Sequence, residues 1–161
     1  MNIYGLHHSA YRCRDSEETR SFYEDFLGLP LAEALEIAET KTGGKVHVLH
    51  TFFRMDDGSF IAFFEVPHMT FEFKNQHDFD LHIALEASPE TSSKLIERAH
   101  AENRDVRGPV DHGIGYSVYF RDPNGYVVEL LNRKPEHDEL LDPNKNRARE
   151  KLKQWQIKKN G

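Results

Sequence analysis

Three side chains of this sequence combine metal-binding chemistry with matching positions along the chain. Glu129 is a carboxylate inside the apolar stretch "YVVELL", which has the composition of a half-buried strand. An ionised carboxylate that leaves water costs several kcal/mol unless a positive charge compensates it. His8 and His82 each lie on the first predicted strand of a repeated unit. Because two imidazoles and one carboxylate can hold a divalent metal, the sequence predicts a metal site of His8, His82 and Glu129.

The predicted elements that carry these residues occur twice in similar order. In the first half, a strand precedes a helix that begins after Asp15 and ends at Gly28, and further strands follow. The second half has a strand, a helix with Ser88 as N-cap and Pro89 in its first turn, and a hairpin around "DPNG". Strands are predicted at residues 3–14, 31–38, 45–55 and 59–66, and then at 81–87, 116–121 and 126–131.

Two hairpin glycines align the two halves of the chain. Four residues separate Gly58 from Ala62, and four separate Gly125 from Glu129. Glu129 therefore corresponds to Ala62, so only the second half offers a carboxylate at this position. Strand alternation places Ala62 between two phenylalanines on one face and turns Glu65 to the opposite face. The phenylalanines would form an apolar wall suited to a ring-shaped substrate.

Composition excludes several classes of protein. The 161 residues carry a net charge of −6, which argues against a nucleic-acid binder. The N-terminus lacks the charged and apolar regions of a signal peptide, and no apolar run is long enough to span a membrane. The single cysteine, Cys13, suits a reducing compartment. A soluble, cytoplasmic protein is the expectation.

Three stretches, "LHHSAYRCRDSEETRSFYEDFLGLPL", "LHIALEA" and "YFRDPNGYVVEL", resemble the vicinal oxygen chelate superfamily of glyoxalases, bleomycin and fosfomycin resistance proteins and extradiol dioxygenases. The resemblance covers about residues 1–135. It implies an α+β fold of two tandem βαβββ modules, about 1–75 and 76–135, that form a cup-shaped mixed sheet around a metal. The implied metal ligands are His8, His82 and Glu129.

The resemblance also implies an activity. Glyoxalase I takes four protein ligands, and the fourth would stand at Ala62, so three-ligand members fit better. The expectation is an Fe(II) extradiol-type ring-cleaving dioxygenase for a small catechol-like substrate, with Tyr119, ten residues before Glu129, orienting that substrate. One alternative is a glyoxalase-like lyase or isomerase, or a fosfomycin-type thiol transferase, that uses Mn or Zn. Another is a metal-free protein that sequesters a ligand.

Ring cleavage also requires a proton carrier beside the metal. The acid-base histidine of the dioxygenases would fall at Ser59, so the candidates are His50 on the neighbouring strand, His112 in "DHGIGY" and, ranked lower, His68. His7 directly precedes His8, and alternation predicts that its side chain points to the opposite face.

Residues 136–161 lie outside the resemblance and are predicted to form a helical tail that begins at Asp142. Ala148, Leu152 and Trp155 form a narrow apolar stripe among basic residues. The stripe is expected to cover the cup or to dock on a second subunit, and a homodimer is expected. The other expected partner is a small aromatic or vicinal-oxygen molecule, with neither nucleic acid nor membrane.

Overall fold

The computed structural model describes residues 2–39, 42–75 and 77–160. Within them, the order strand, helix, three strands occurs twice and is followed by two helices. The first set is β1 (His8–Cys13), α1 (Ser16–Arg20) continued by a π-helical turn (Ser21–Phe26), β2 (Leu31–Glu39), β3 (Lys45–Arg54) and β4 (Phe60–Glu65). The rest is β5 (His82–Glu86), α2 (Pro89–Ala101), β6 (Val106–Asp111), β7 (Gly115–Arg121), β8 (Val127–Arg133), α3 (His137–Leu140) and α4 (Ala148–Asn160).

Each set forms a four-stranded sheet, and the two sheets have the same topology. The first has the strand order β1-β4-β3-β2, and the second has the order β5-β8-β7-β6. In the first sheet β1 pairs with β4 in parallel, whereas β4 with β3 and β3 with β2 pair antiparallel. The predicted α+β fold of tandem βαβββ modules with a C-terminal helix is confirmed.

The chain divides into two compact units. One comprises residues 1–83 and 120–128, and the other comprises residues 84–119 and 129–161. The turn between β7 and β8 therefore belongs to the first unit. No helix among the described residues is both long enough and apolar enough to cross a membrane.

The helical segment after β1 packs against one face of the first sheet. Ile61 and Phe63 of β4 are fully buried, and the ring of Tyr23 lies 4.7 Å from that of Phe63. The Asp15 side chain accepts a hydrogen bond from the backbone N–H of the residue three positions later, as an N-cap does. Gly28, with φ of 84°, follows the last helical turn. The predicted start and stop of this helix are confirmed, although its second half is π-helical.

Buried side chains hold the turn between β7 and β8. The Asp122 carboxylate accepts hydrogen bonds from the backbone N–H groups of Asn124 (2.9 Å) and Tyr126 (2.8 Å) and from the Tyr23 hydroxyl (3.1 Å). Asn124 Oδ1 in turn accepts the backbone N–H of Arg14 at 2.8 Å. Burial raises the pKa of Asp122. The "DPNG" motif therefore fastens the end of β1 to a turn more than 100 residues later in the chain.

The helix of the second module begins as predicted. Ser88 Oγ accepts the backbone N–H of Thr91 at 3.1 Å, which satisfies one of the free donors at the start of α2. Asn132 of β8 donates to the carbonyl of Ala87 and to Ser92 Oγ, both at 2.8 Å. These hydrogen bonds tie the start of α2 to β8.

Two strand predictions differ from the structure. β1 begins at His8 rather than at Ile3, and the side chains of Ile3 and Tyr4 are strongly exposed. Apolar alternation before His8 therefore does not reflect sheet pairing. β6 was not predicted, because Gly108 and Pro109 interrupt its sequence and five of its six residues are exposed.

The tail helix begins later than predicted, at Ala148 rather than at Asp142. The Asp142 carbonyl accepts the backbone N–H groups of Lys145 and Asn146, and its carboxylate accepts that of Asn144 at 2.8 Å. Such local acceptors favour a turn over a helix. Asn146 Oδ1 accepts the N–H of Ala148 at 3.0 Å, so the helix starts directly after this turn.

Replacing Asp122 with alanine is expected to lower the free energy of unfolding by about 3 kcal/mol, because buried donors lose their acceptor. Since burial raises the pKa of Asp122, the folded state binds a proton more readily than the unfolded state. Asp122 therefore contributes more stability as the pH falls from its folded pKa toward the ordinary value of 3.8, and Asp122→Ala loses that gain. Urea denaturation at neutral and at acidic pH measures both effects.

Asp57, in the corresponding turn of the first module, is the control. It accepts the backbone N–H (2.9 Å) and the hydroxyl (2.6 Å) of Ser59, and these bonds lower its pKa. Asp57→Ala is expected to cost less stability than Asp122→Ala, because Asp57 is exposed to solvent. The stability that Asp57 contributes decreases as the pH falls, the opposite trend to that of Asp122. Equal losses and equal pH trends for the two variants would contradict the assignment.

Candidate active site

The pairing register of β1, β4 and β3 decides which side chains share the sheet face opposite α1. His8 pairs with Phe60, and Ala10 pairs with Ala62, which in turn pairs with Phe52. Paired residues point to the same face, as do alternate residues along each strand. We call this surface the aromatic face. Its members are His8, Ala10, Arg12, His50, Phe52, Arg54, Phe60, Ala62 and Phe64.

Aromatic rings surround the centre of the aromatic face. The centroid of Phe52 lies 5.5 Å from that of His8 and 4.2 Å from that of His50. His50 also stacks on Phe64, with 3.7 Å between centroids and 12° between planes. Ala62 is fully buried. The predicted apolar wall around Ala62 is therefore present.

His8, the first residue of β1, is exposed and interacts with its neighbour in the chain. Its Nδ1 lies 2.8 Å from Nδ1 of His7, so one of these nitrogens donates and the other accepts. The prediction that His7 points to the opposite face, away from His8, is wrong. Because β1 begins at His8, strand alternation does not extend to His7.

His50 is buried in β3 and lies beside His8. Its Nδ1 is 3.0 Å from the carbonyl oxygen of Phe63. A carbonyl only accepts, so Nδ1 carries the proton, and the neutral ring has its lone pair on Nε2. The ring centroids of His50 and His8 are 6.2 Å apart. The structure thus brings together one predicted ligand and one predicted acid-base residue.

His82 begins β5 with an exposed side chain. Its Nδ1 lies 3.0 Å from the carbonyl oxygen of Asp78, so Nδ1 donates and the neutral ring has its lone pair on Nε2. Histidines that bind metals commonly donate their second ring N–H to a carbonyl in this way. The chemistry of His82 therefore fits a ligand.

Glu129, the third residue of β8, is 7% exposed. Ser117 Oγ donates a hydrogen bond to Glu129 Oε1 at 2.5 Å. A hydrogen bond of this kind orients a ligating carboxylate. The carboxylate is therefore buried and oriented, as a metal ligand requires.

The two other predicted catalytic residues meet in the second unit. The Tyr119 hydroxyl lies 2.7 Å from Nε2 of His112, and the Arg107 guanidinium lies over the Tyr119 ring, 4.7 Å from its centroid. The turn that carries His112 is fixed, since the Lys134 ammonium donates to the Asp111 carboxylate at 2.7 Å. These contacts create a hydroxyl–imidazole pair next to a positive charge.

Glu65 lies on the opposite side of β4 from Ala62, as predicted. Its carboxylate accepts the backbone N–H of Ser16 at 2.7 Å, at the start of α1. Glu65 therefore has a structural role and does not belong to the aromatic face.

The described part of the chain contains no three His, Cys, Asp or Glu side chains close enough together to hold a metal ion. The ligand set of His8, His82 and Glu129 stays a prediction, supported by the chemistry of each side chain. Its donor types, two imidazoles and one carboxylate, fit a divalent ion.

The residues that orient the predicted ligands and catalytic residues were not identified from the sequence. Ser117 holds Glu129, Arg107 lies over Tyr119, and the backbone of Asp78 sets the tautomer of His82. Ser117 could have been found from hairpin pairing, because it and Glu129 lie at similar distances on either side of "DPNG". No sequence pattern pointed to Arg107, because β6, the strand that carries it, was not predicted.

Comparison with known proteins extends these observations. The family model described as "Glyoxalase/Bleomycin resistance protein/Dioxygenase superfamily" matches residues 5–130. The chain is 28% identical over 136 residues to lactoylglutathione lyase GLX1 from Arabidopsis thaliana, an alignment that covers 80% of the chain and 44% of the plant protein. A putative lactoylglutathione lyase from Brassica oleracea is 25% identical, with 83% and 46% covered. The chain spans less than half the length of these curated relatives.

Solved structures share the fold. A mutant of the fosfomycin resistance protein FosX from Listeria monocytogenes, complexed with Mn(II) and 1S,2S-dihydroxypropylphosphonic acid, superposes with a TM-score of 0.59 at 22% identity and covers 86% of this chain and 99% of its own. A glyoxylase/bleomycin resistance protein/dioxygenase domain from Frankia has a TM-score of 0.64 at 14% identity, with 83% and 100% covered.

Proposed function

We infer that this chain, which belongs to the glyoxalase/bleomycin resistance protein/dioxygenase superfamily, is a metal-dependent enzyme for a small substrate with two neighbouring oxygen atoms. We propose His8, His82 and Glu129 as the ligands. A divalent ion bound there would act as a Lewis acid and stabilise negative charge that develops on a substrate oxygen. The reaction class we propose is that of a lyase, isomerase or fosfomycin-type transferase.

The observation that carries this proposal is the buried carboxylate of Glu129. A carboxylate that is 7% exposed and oriented by the Ser117 hydroxyl has the properties of an anionic metal ligand. A divalent cation bound there would interact favourably with this buried charge. The Nδ1–H tautomer of His82 supports the same role for its Nε2 atom.

The named relatives favour lyase or transferase chemistry over ring cleavage. The relatives that are named for one activity are lactoylglutathione lyases and a fosfomycin resistance protein, whereas dioxygenase appears only as part of the general superfamily name that the Frankia domain carries. The FosX mutant was crystallised with Mn(II), which supports Mn(II) as the metal here. Zn(II) is the alternative on ligand type alone. Ala62, buried where a fourth ligand would stand, favours the three-ligand transferase type over a four-ligand lyase.

We assign proton transfer to the Tyr119–His112 pair. In their 2.7 Å hydrogen bond the imidazole Nε2 accepts the hydroxyl proton, so that the phenol oxygen can take a proton from substrate and the imidazole can return one. The Arg107 cation over the Tyr119 ring favours any negative charge that forms on the phenol oxygen. His50 is better explained by packing, because it stacks on Phe64 and donates to a backbone carbonyl.

The decisive experiment combines metal analysis with three assays on one preparation. Protein stripped of metal is reloaded with Mn(II), Zn(II) or Fe(II) and tested with a glutathione hemithioacetal, with fosfomycin plus thiol or water, and with catechols. Turnover of one of the first two with Mn or Zn is the expected result. Oxygen uptake with Fe and a catechol would restore the dioxygenase interpretation. Ligand binding without any metal would identify a sequestering protein.

Glu129→Gln is expected to lower Mn(II) affinity by at least about tenfold, because it removes the one anionic ligand of the proposed set. Glu65→Gln is the matched control, since it changes a carboxylate that bonds to the start of α1 and its amide oxygen can still accept that hydrogen bond. Isothermal titration with Mn(II) measures both affinities. A Glu129→Gln variant that binds as tightly as the parent would refute the ligand assignment.

His112→Phe is expected to reduce kcat by about 100-fold and leave metal content unchanged, because it removes the proton acceptor of Tyr119. Tyr119→Phe should have a similar effect, and the double variant should be no worse than either single one, since the two residues act together. His100→Phe, at an exposed position of α2, is the control. His50→Phe should cost less than about tenfold. A larger loss for His50→Phe than for His112→Phe would reverse the assignment.

A further inference from the structure

The last helix, α4, presents apolar side chains to solvent. Every side chain from residue 148 to residue 159 is exposed, and Leu152, Trp155 and Ile157 are each more than half exposed. Ala148, Leu152 and Trp155 follow one another at intervals of four and three residues, so they lie on one side of the helix. Ile157 lies five residues after Leu152 and therefore points to the other side. Isolated helices of this length are marginal in water, so α4 requires a partner surface.

The charge of α4 indicates the chemistry of that surface. The helix contains five basic residues and one acidic residue, whereas the chain as a whole carries a net charge of −6. The rest of the chain therefore carries a net negative charge. Two copies of α4 would repel each other, which argues against pairing between two α4 helices. The surface that complements α4 is acidic and has an apolar centre.

β2 provides such a surface. It is one of the two edge strands of the first sheet, and β3 is its one strand partner among the described residues. Its sequence, "LAEALEIAE", has three glutamates and no basic residue, and Leu35 at its centre is 46% exposed. Exposed edge strands are open to association unless something covers them. Glu33 lies on the same face of β2 as Leu35 and Glu36 lies on the other face, so negative charge borders the apolar centre on both sides of the edge.

We propose that α4 of one molecule docks on the β2 edge of a second copy of the chain. The Leu152–Trp155 stripe would contact Leu35, and the basic residues beside it would face Glu33 and Glu36. In a two-fold symmetric dimer this contact occurs twice, once in each direction. The docking helix α4 lies outside the region that the family model matches, and the proposal does not depend on the proposed activity.

Trp155 is the only tryptophan and reports directly on this contact. Sedimentation equilibrium and acrylamide quenching of Trp155 are measured over a range of protein concentrations at low salt. We expect a dimer to form and Trp155 to become shielded over the same concentration range. Raising NaCl from about 0.05 M to about 0.5 M should weaken both effects, because exposed charges are screened at high salt.

Two pairs of variants separate this contact from general effects of charge. Leu152→Glu should raise the dimer Kd at least about tenfold, whereas Ile157→Glu, the same kind of change on the other side of the same helix, should leave it within about threefold. Glu36→Lys should weaken association, whereas Glu97→Lys on exposed α2 should not. Combining Glu33→Lys and Glu36→Lys with Lys151→Glu and Lys153→Glu should restore association.

Each other outcome overturns the proposal. Trp155 that stays exposed in a monomer at every concentration shows that α4 does not dock. Trp155 that is shielded in the monomer shows that α4 packs within its own chain. A dimer in which Trp155 stays exposed, or which is insensitive to Leu152→Glu, uses a different surface. Circular dichroism of each variant establishes that α4 and the sheets remain folded.

Discussion

The parallel pairing of β1 with β4 is the constraint on which the first module depends. The register sets His8 opposite Phe60 and Ala10 opposite Ala62. With that register, Ile61 and Phe63 face the helix and become fully buried, and Phe60, Ala62 and Phe64 share the aromatic face. A shift by one residue would turn each of these sets over. Core packing and the position of His8 are therefore decided by the same pairing.

The same register explains why two similar carboxylates have different roles. Glu65 points to the helix side of β4 and accepts the backbone N–H of Ser16, so its charge serves the fold. Glu129 is enclosed in β8, where the Ser117 hydroxyl donates a hydrogen bond to its carboxylate. A carboxylate held in this way is the anionic donor that a divalent ion needs, which is why the proposed function depends on it.

The "DPNG" turn illustrates how a motif shared with a functional family can be structural. Asp122 and Asn124 are buried, and their hydrogen bonds reach Tyr23 and the backbone of Arg14. The motif therefore secures the start of β8, two residues before Glu129. It fixes the strand that carries the Glu129 carboxylate.

The sequence by itself determined the repeated order of elements, the helix starts at Asp15 and Ser88, and the hairpin glycines that align Ala62 with Glu129. These features depend on local rules, such as side-chain caps, positive φ in turns and strand alternation, which act over a few residues. It also predicted that Tyr119 orients a substrate and that His112 or His50 carries a proton, without separating the two histidines.

Only the tertiary structure decided which of these residues meet. His112 contacts Tyr119 because β6 and β7 form a hairpin, and β6 has no local signal around Gly108 and Pro109. His50 stacks on Phe64 because β3 and β4 pair in one register. His7 turned out to bond to His8 because β1 starts one residue later than His7, a boundary set by pairing with β4. Contacts of this kind depend on pairing between distant segments, and periodicity within one segment does not contain that information.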